Sequence, residues 1–376
     1  MKNIALIGST GSIGIQTLNV CRRHPDKFNI VSLAGGLNSD LLLQQVKEFK
    51  PLVATCVNEI QVDDSLKTQF SFGENAFLDA IISEADIVVV ALVGFKGIYA
   101  VLKAIELKKD IALANKESLV VGGELVVNSA KKAGVKILPI DSEHSAIWQS
   151  LGLDIEKPFR RIILTASGGA FRDLDYASLE KVTSSDALKH PNWNMGNKIT
   201  IDCATMVNKG FEVIEAKWLF NTTFDNIDVI IHRESIIHSM VEFVDSSVVA
   251  QMGYPSMEVP ISLALSYPDR LDTGIKSLDF NSLKSLTFNQ VDSKKYPCLD
   301  LVVSAGKKGG LYPAVINGAN EIAVSKFLSG EIKYKSIYDS LAFATESFAD
   351  NSKVTFESLC EADAFGRNAV KRFFGE

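Results

Sequence analysis

The sequence predicts an α/β protein: an N-terminal Rossmann-like doubly wound sheet, a central α+β domain with a flap loop, and a C-terminal helical domain. Three observations predict it. From Ile4 to about Ile140 short β-rich runs alternate with helical stretches, the order of a parallel sheet with helices on its faces. A glycine run, Gly8-Ser9-Thr10-Gly11-Ser12-Ile13-Gly14, stands where the first strand turns into the first helix. From Asp300 to Phe374 the chain reads as helices without strand alternation.

In order, strands are expected at 4–7, 30–34, 87–91, 111–113 and 136–140, with helices at 13–23, 40–49, 97–107 and 118–133 between them. Gly134 is a plausible C-cap for the last helix. The central region offers strands at 161–166, 198–203, 229–231, 240–244 and 247–252, and Asp245-Ser246 reads as a tight hairpin turn. Between Ser167 and Gly196 a stretch rich in Gly, Asp, Asn, His and Trp lacks periodicity and suggests a functional loop. Pro268 and Gly274 mark a connector. The 376 residues exceed one domain of ~100 to 200 residues and divide as 1–140, 141–270, a connector at 271–299, and 300–376.

Composition excludes several classes of function. Hydrophobic residues make up 47% and charged residues 22%, with no uncharged apolar run of ~18 residues to span a bilayer, so no membrane partner is expected. The net charge of -6 is spread without a basic block, which argues against nucleic acid as a partner. The cysteines Cys21, Cys56, Cys203, Cys298 and Cys360 are scattered and form no C-x-x-C pair, so neither a disulfide framework nor a cysteine zinc site is indicated. The apolar run after Lys2 is short and passes straight into the glycine loop, so it reads as a strand and the cytoplasm as the compartment.

The glycine run follows a strand and opens a helix, the context of a dinucleotide pyrophosphate site, where backbone N–H groups and the helix dipole meet the phosphates. Its spacing is G-x-x-G-x-x-G. After the second strand, where an NAD enzyme usually carries Asp or Glu for the ribose hydroxyls, stand Ala34-Gly35-Gly36-Leu37-Asn38, which permits NADP. Asn115-Lys116-Glu117 and Asp141-Ser142-Glu143 each follow a strand at the edge where open α/β sheets bind ligands. Alone, the first could be a solvated helix start and the second a helix N-cap. Asp141 and Glu143, with Glu212 as a third carboxylate, could hold hard Mg²⁺ or Mn²⁺. Asn208 and Lys209 offer donors for a phosphate, and Ser167-Gly168-Gly169 forms a second glycine turn able to present N–H groups and a hydroxyl to an anion. In His190-Pro191-Asn192-Trp193-Asn194-Met195-Gly196 an aromatic sits among turn formers; it is either a lid over a site or a core anchor.

Taken in order, these segments resemble the 1-deoxy-D-xylulose 5-phosphate reductoisomerase family over essentially the whole chain. The resemblance rests on GSTGSIG at 8–14, ALANKESLV at 112–120, PIDSEHSAIWQ at 139–149, SGGAFR at 167–172, HPNWNMG at 190–196, DCATMVNKGFEVIEA at 202–216, IIHSMVEF at 236–243 and NGANEIAV at 317–324. It implies a catalytic role for the central domain, with Lys116, Glu143 and His190 as catalytic residues. It implies NADPH contacts from Thr10, Gly11, Ser12, Ile13, Gly36, Asn38, Asn115, Glu117 and Gly196, and a Mg²⁺ or Mn²⁺ ion on Asp141, Glu143 and Glu212. The sugar phosphate substrate would meet Lys116, Ser142, Glu143, Ser167, His190, Cys203, Asn208, Lys209 and Glu212, under a flap carrying Trp193 and Met195. The implied reaction is metal-dependent rearrangement and NADPH-dependent reduction of 1-deoxy-D-xylulose 5-phosphate to 2-C-methyl-D-erythritol 4-phosphate, feeding isoprenoid precursor synthesis in a homodimer. Two positions depart from the family pattern: Leu37 stands where a basic residue often assists the cofactor's 2′-phosphate, and Cys203 where many members carry a serine for the substrate phosphate. The competing readings are an NADP-dependent dehydrogenase of a phosphorylated or semialdehyde substrate without rearrangement, and a redox-sensing NADP binder. The redox-sensing binder would keep the first glycine loop but has no need for Asp141, Glu143 and Glu212, and metal dependence discriminates among the readings.

Overall fold

The computed structural model describes all residues except Asp64, Asn194, Asp350 and Asn351. By internal contacts the chain forms two compact units, the first comprising Met1–Ser118, Val126–Ser145 and Ser256–Lys276, the second Leu119–Leu125, Ala146–Pro255 and Ser277–Glu376.

The first unit begins with β1 (Lys2–Ile7), α1 (Ser12–Arg23), β2 (Phe28–Ala34), α2 (Ser39–Phe49), β3 (Val53–Cys56), β4 (Gln69–Phe72), β5 (Ile87–Val90), α3 (Gly97–Glu106) and β6 (Asp110–Leu113). α4 (Glu117–Ala133) starts in it, and β7 (Ile137–Pro139) closes its sheet. All seven strands run parallel in the order β4-β3-β2-β1-β5-β6-β7. The order reverses between β1 and β5, the switch point at whose carboxyl edge doubly wound sheets bind ligands. Burial explains the pattern: Ile87 to Val90 are all buried, as expected of a strand covered on both faces. The expected strands and helices of this half are present within a residue or two. β3 and β4 went unanticipated, being four-residue strands on the flank of the sheet with little periodicity.

The remaining elements are α5 (Ser142–Ser150), β8 (Arg161–Ala166), α6 (Ser184–Ala187), α7 (Asn197–Thr205), α8 (Val207–Leu219), β9 (Ile227–Ile231), β10 (Ile237–Glu242), β11 (Val248–Met252), α9 (Glu258–Ser266), β12 (Asn289–Gln290), α10 (Pro297–Lys308), α11 (Tyr312–Leu328), α12 (Tyr334–Glu346) and α13 (Phe356–Phe373). The sheet of the second unit has the order β11-β10-β8-β9-β12, with β8 and β9 parallel and the other pairs antiparallel. Asp245-Ser246 makes the expected turn between β10 and β11; Ser246 adopts a positive φ of 69° and Asp245 Oδ1 accepts from Ser247 N at 3.0 Å.

One expectation fails. Residues 198–203, read as a strand from the Ile199-Thr200-Ile201 alternation, lie inside α7. The buried residues Thr200, Ile201, Ala204 and Thr205 fall at helical spacing, and the helix packs on α8 and α11. Burial of that stripe outweighs the few tenths of a kcal/mol by which each β-branched residue disfavours a helix. The helical C-terminal region is as expected. α11 and α13 approach so closely that a Cβ on Gly318 would lie 2.2 Å from Asp363 O, and one on Gly366 would lie 2.1 Å from Val315 O. Glycine at these two positions is therefore a packing requirement.

Candidate active site

The glycine run makes a tight turn ahead of α1. Gly8 takes a φ of +99°, and a Cβ there would sit 2.5 Å from Ala91 O; a Cβ on Gly14 would sit 2.2 Å from Gly8 O. Gly11 is the N-cap residue of α1, followed by Ser12 and Ile13 in its first turn, so their N–H groups lie at the positive end of the helix dipole. Thr10 Oγ1 accepts from Gly36 N at 3.2 Å, which ties the glycine turn to the loop after β2. In that loop Leu37 is 74% exposed, and Asn38 caps α2 by accepting from Leu41 N at 3.1 Å. Asn115, after β6, donates to Leu92 O, Gly94 O and Glu117 Oε2, each at 3.0 Å, and its Oδ1 accepts from Ser118 N at 3.0 Å. Asn115 thus braces the start of α4 and orients Glu117.

Lys116 and Asp141 follow the neighbouring parallel strands β6 and β7, and their side chains meet at 2.6 Å, each at least nine-tenths buried. Burial by itself raises the Asp141 carboxyl, but Lys116 and the His144 ring hold it well below the usual carboxylate range. The site therefore carries an ionised carboxylate beside an ammonium. Asp141 Oδ1 accepts from Glu143 N at 3.3 Å, and Ser142 Oγ donates to Glu143 Oε2 at 2.5 Å. His144, which sequence reasoning passed over, lies with Nδ1 3.4 Å from Asp141 Oδ1. Its signal was available: a histidine three residues after an aspartate at a helix start falls on the same face.

In the second unit α8 carries Asn208, Lys209 and Glu212, all buried. Lys209 Nζ pairs with Glu212 Oε2, and Asn208 Nδ2 donates to Glu212 Oε1. The i, i+3 and i, i+4 spacings put these three groups on one face. The turn after β8 brings Ser167 to His190, whose Nε2 is 3.0 Å from Ser167 Oγ; the same Oγ accepts from Gly169 N at 3.2 Å. His190 Nδ1 accepts from the backbone N–H groups of Asn192 and Trp193, at 3.2 and 3.0 Å. Burial first, then the Arg172 charge, lowers the His190 pKa to about 4. Trp193 is half-buried and packs edge-on against His238 at 6.1 Å, another histidine that sequence reasoning did not single out although IIHSMVEF contains it. Met195 is half-buried and Gly196 is the N-cap residue of α7; Asn194 of the same motif lies outside the described residues. Cys203, expected after a strand, sits instead in the last turn of α7, and Gly169 packs so tightly there that a Cβ would lie 2.6 Å from Cys203 O.

Three family descriptions match the chain. Residues 4–123 match 1-deoxy-D-xylulose 5-phosphate reductoisomerase, residues 137–220 its C-terminal domain, and residues 252–369 the DXP reductoisomerase C-terminal domain. The 1-deoxy-D-xylulose 5-phosphate reductoisomerase of Pelotomaculum thermopropionicum is 48% identical, over 98% of this chain and 97% of its own length. That of Bacillus subtilis is also 48% identical, over 98% of this chain and 99% of its own. A crystal structure of DOX-P reductoisomerase in complex with NADPH, fosmidomycin and magnesium superposes with a TM-score of 0.94 at 37% identity, covering 100% of both chains. The Zymomonas mobilis enzyme in complex with NADPH gives a TM-score of 0.93 at 35% identity, covering 100% of this chain and 99% of its own. With near-complete coverage, and with each motif set on the element that its chemistry requires, the chain belongs to the 1-deoxy-D-xylulose 5-phosphate reductoisomerase family.

Proposed function

We propose that this chain rearranges 1-deoxy-D-xylulose 5-phosphate and reduces the product with NADPH to 2-C-methyl-D-erythritol 4-phosphate, a step in isoprenoid precursor synthesis. The observation that carries this reading is family membership over the full chain, at 48% identity to relatives of that name.

Asp141, Glu143 and Glu212 are the residues that would hold the divalent ion. Their chemistry fits Mg²⁺ or Mn²⁺: all are hard oxygen donors, and Asp141 is kept ionised by its lysine neighbour. When bound, the ion supplies Lewis acidity toward the substrate's carbonyl and adjacent hydroxyl, and NADPH supplies the hydride. The buried Lys116 ammonium donates to developing negative charge on the substrate oxygens, as a preorganised group that needs no reorganisation. Glu143 and Ser142 orient the same end of the substrate. At the other end Ser167, Asn208 and Lys209 donate to the phosphate, with His190 and Cys203 beside them, and this remote grip fixes the reacting carbons. Trp193 and Met195 close over the substrate and exclude water.

For the cofactor, Thr10, Gly11, Ser12 and Ile13 would take the pyrophosphate, Gly36 and Asn38 the adenosine side, and Asn115, Glu117 and Gly196 the rest. The turn shaped by Gly8 and Gly14 and the helix start behind it suit that role. A cytoplasmic homodimer belongs to the same reading; exposed Val248 and Val249 on the edge strand β11 and Val244 beside it support a self-association surface. Among the described residues no helix is long and apolar enough to cross a membrane. Purified protein given 1-deoxy-D-xylulose 5-phosphate, NADPH and Mg²⁺ is expected to oxidise NADPH and release 2-C-methyl-D-erythritol 4-phosphate, and to stop when the metal is chelated. NADPH oxidation that yields an unbranched alcohol, or none at all, would refute the reading.

A further inference from the structure

The last turn of α7 is held by two buried side chains from the C-terminal helices. Tyr334 Oη, at the start of α12, donates to Ala204 O at 2.6 Å, and Asn320 Nδ2, on α11, donates to Asp202 Oδ1 at 2.8 Å. Lys198 Nζ meets the other Asp202 oxygen at 3.0 Å. Immediately after these anchors the chain kinks: Met206 adopts a left-handed φ of 66° between α7 and α8, a conformation costly for a non-glycine residue unless its surroundings impose it. The kink sets the direction in which α8 leaves with Asn208 and Lys209. The contact of Gly169 with Cys203 O transmits the position of the same turn to Ser167.

We propose that Tyr334 and Asn320 are positioning residues for the phosphate end of the substrate: by pinning the C-terminal turn of α7 they set the mutual placement of the Ser167–Gly169 turn, Cys203 and the start of α8. The inference rests on the reading that these elements grip the phosphate. The Tyr334 ring is fixed independently of its hydroxyl by edge-on packing against Phe171 at 5.0 Å and Phe327 at 5.9 Å. Burial raises the phenol pKa well above its ordinary value, so the group remains a donor at any working pH. Tyr334→Phe therefore removes one hydrogen bond and leaves the ring packing in place.

The test compares Tyr334→Phe with Ser167→Ala, which removes a direct phosphate donor. Tyr334→Phe is expected to raise KM for the sugar phosphate about 5- to 10-fold, and the competitive inhibition constant of inorganic phosphate in parallel, as for the loss of one buried hydrogen bond. The turnover number and the NADPH dissociation constant should stay within about twofold, a split that general loosening of the fold does not produce. If Tyr334→Phe does not fold, Asn320→Ala is read in the same way. A folded variant with KM and phosphate inhibition unchanged overturns the inference, as does one in which KM, turnover and NADPH affinity all shift together. Should Ser167→Ala also leave KM and phosphate inhibition unchanged, the phosphate-grip reading fails with it; a raised KM in Ser167→Ala alone sinks only the positioning role.

Discussion

His190 Nε2 stands 3.0 Å from Ser167 Oγ, and the groups on the far side of the ring decide which atom donates. Because Nδ1 already accepts two backbone N–H groups, the ring proton sits on Nε2 and is given to Ser167. With Gly169 N also donating to it, the serine oxygen has spent both lone pairs, and its own hydrogen is left for an acceptor. Under the proposed function, neutral histidine thus turns Ser167 into a directed donor toward the substrate phosphate.

The pH dependence follows from that arrangement. An ordinary histidine titrates at 6.5, while in the folded chain His190 titrates at about 4. The unfolded chain therefore takes up the proton first as pH falls. The contribution of this ring to stability is complete above 6.5 and is lost progressively toward 4. Thermal melts of the native protein should consequently lose more between pH 7 and pH 5 than those of His190→Gln, roughly one histidine's worth of proton linkage. KM for the sugar phosphate should be higher in the variant by about 10-fold, with a pH profile of the same shape between about pH 5.5 and about pH 8. A limb near neutrality present in the native enzyme and absent from the variant would contradict a neutral His190.

Removing one charge from the carboxylate set should cost activity without unfolding the chain. Asp141→Asn, Glu143→Gln and Glu212→Gln are each expected to lower kcat/KM by at least ~100-fold, since both ion affinity and Lewis acidity depend on the ligand charge. Asp141→Asn has an added penalty, because it leaves the Lys116 ammonium buried beside a neutral amide. Steady-state kinetics together with circular dichroism check this; full activity of any of the three in excess chelator would refute it.

NADPH should be preferred to NADH by about 10-fold or more in kcat/KM, because no carboxylate directly follows β2 to repel the 2′-phosphate. Leu37, exposed there, offers no charge to widen the margin, and Leu37→Arg should increase the preference. Equal efficiency with the two cofactors would defeat the assignment.

Cys203 lies in the last turn of α7 against the Ser167–Gly169 turn, half-buried. Cys203→Ser should leave turnover unchanged and lower KM slightly, by no more than ~0.5 to 1.5 kcal/mol, the worth of one neutral hydrogen bond. Cys203→Asp should raise KM steeply by setting a fixed charge beside the phosphate. If aspartate left KM unaltered in a folded protein, residue 203 would not line the site.

The elements most legible in the sequence were those whose causes are local. Gly8 and Gly14 announce a tight strand-to-helix turn because any side chain there would strike Ala91 O or Gly8 O. The central parallel strands of the first unit, β1, β2, β5 and β6, announce themselves as short apolar runs because both their faces are covered, whereas the flanking β3 and β4 do not. The order of the motifs along the chain was likewise enough to recognise the family, and with it the carboxylates, the lysines and the phosphate donors as candidates.

Other features depend on partners far away in sequence and had no local signature. Residues 198–203 alternate like a strand, yet they are helical because α8 and α11 bury the stripe Thr200, Ile201, Ala204 and Thr205. The hold of Tyr334 on Ala204 O spans 130 residues and that of Asn320 on Asp202 spans 118, so no window of sequence contains either pair. The tautomer of His190 is set by the backbone N–H groups of Asn192 and Trp193, whose direction exists only once that turn is folded. Residue types and their spacing carry chemistry and local turns; the ionisation, donor direction and helix-or-strand choice of a given side chain arise from burial and long-range hydrogen bonds, which come into being only when the chain packs.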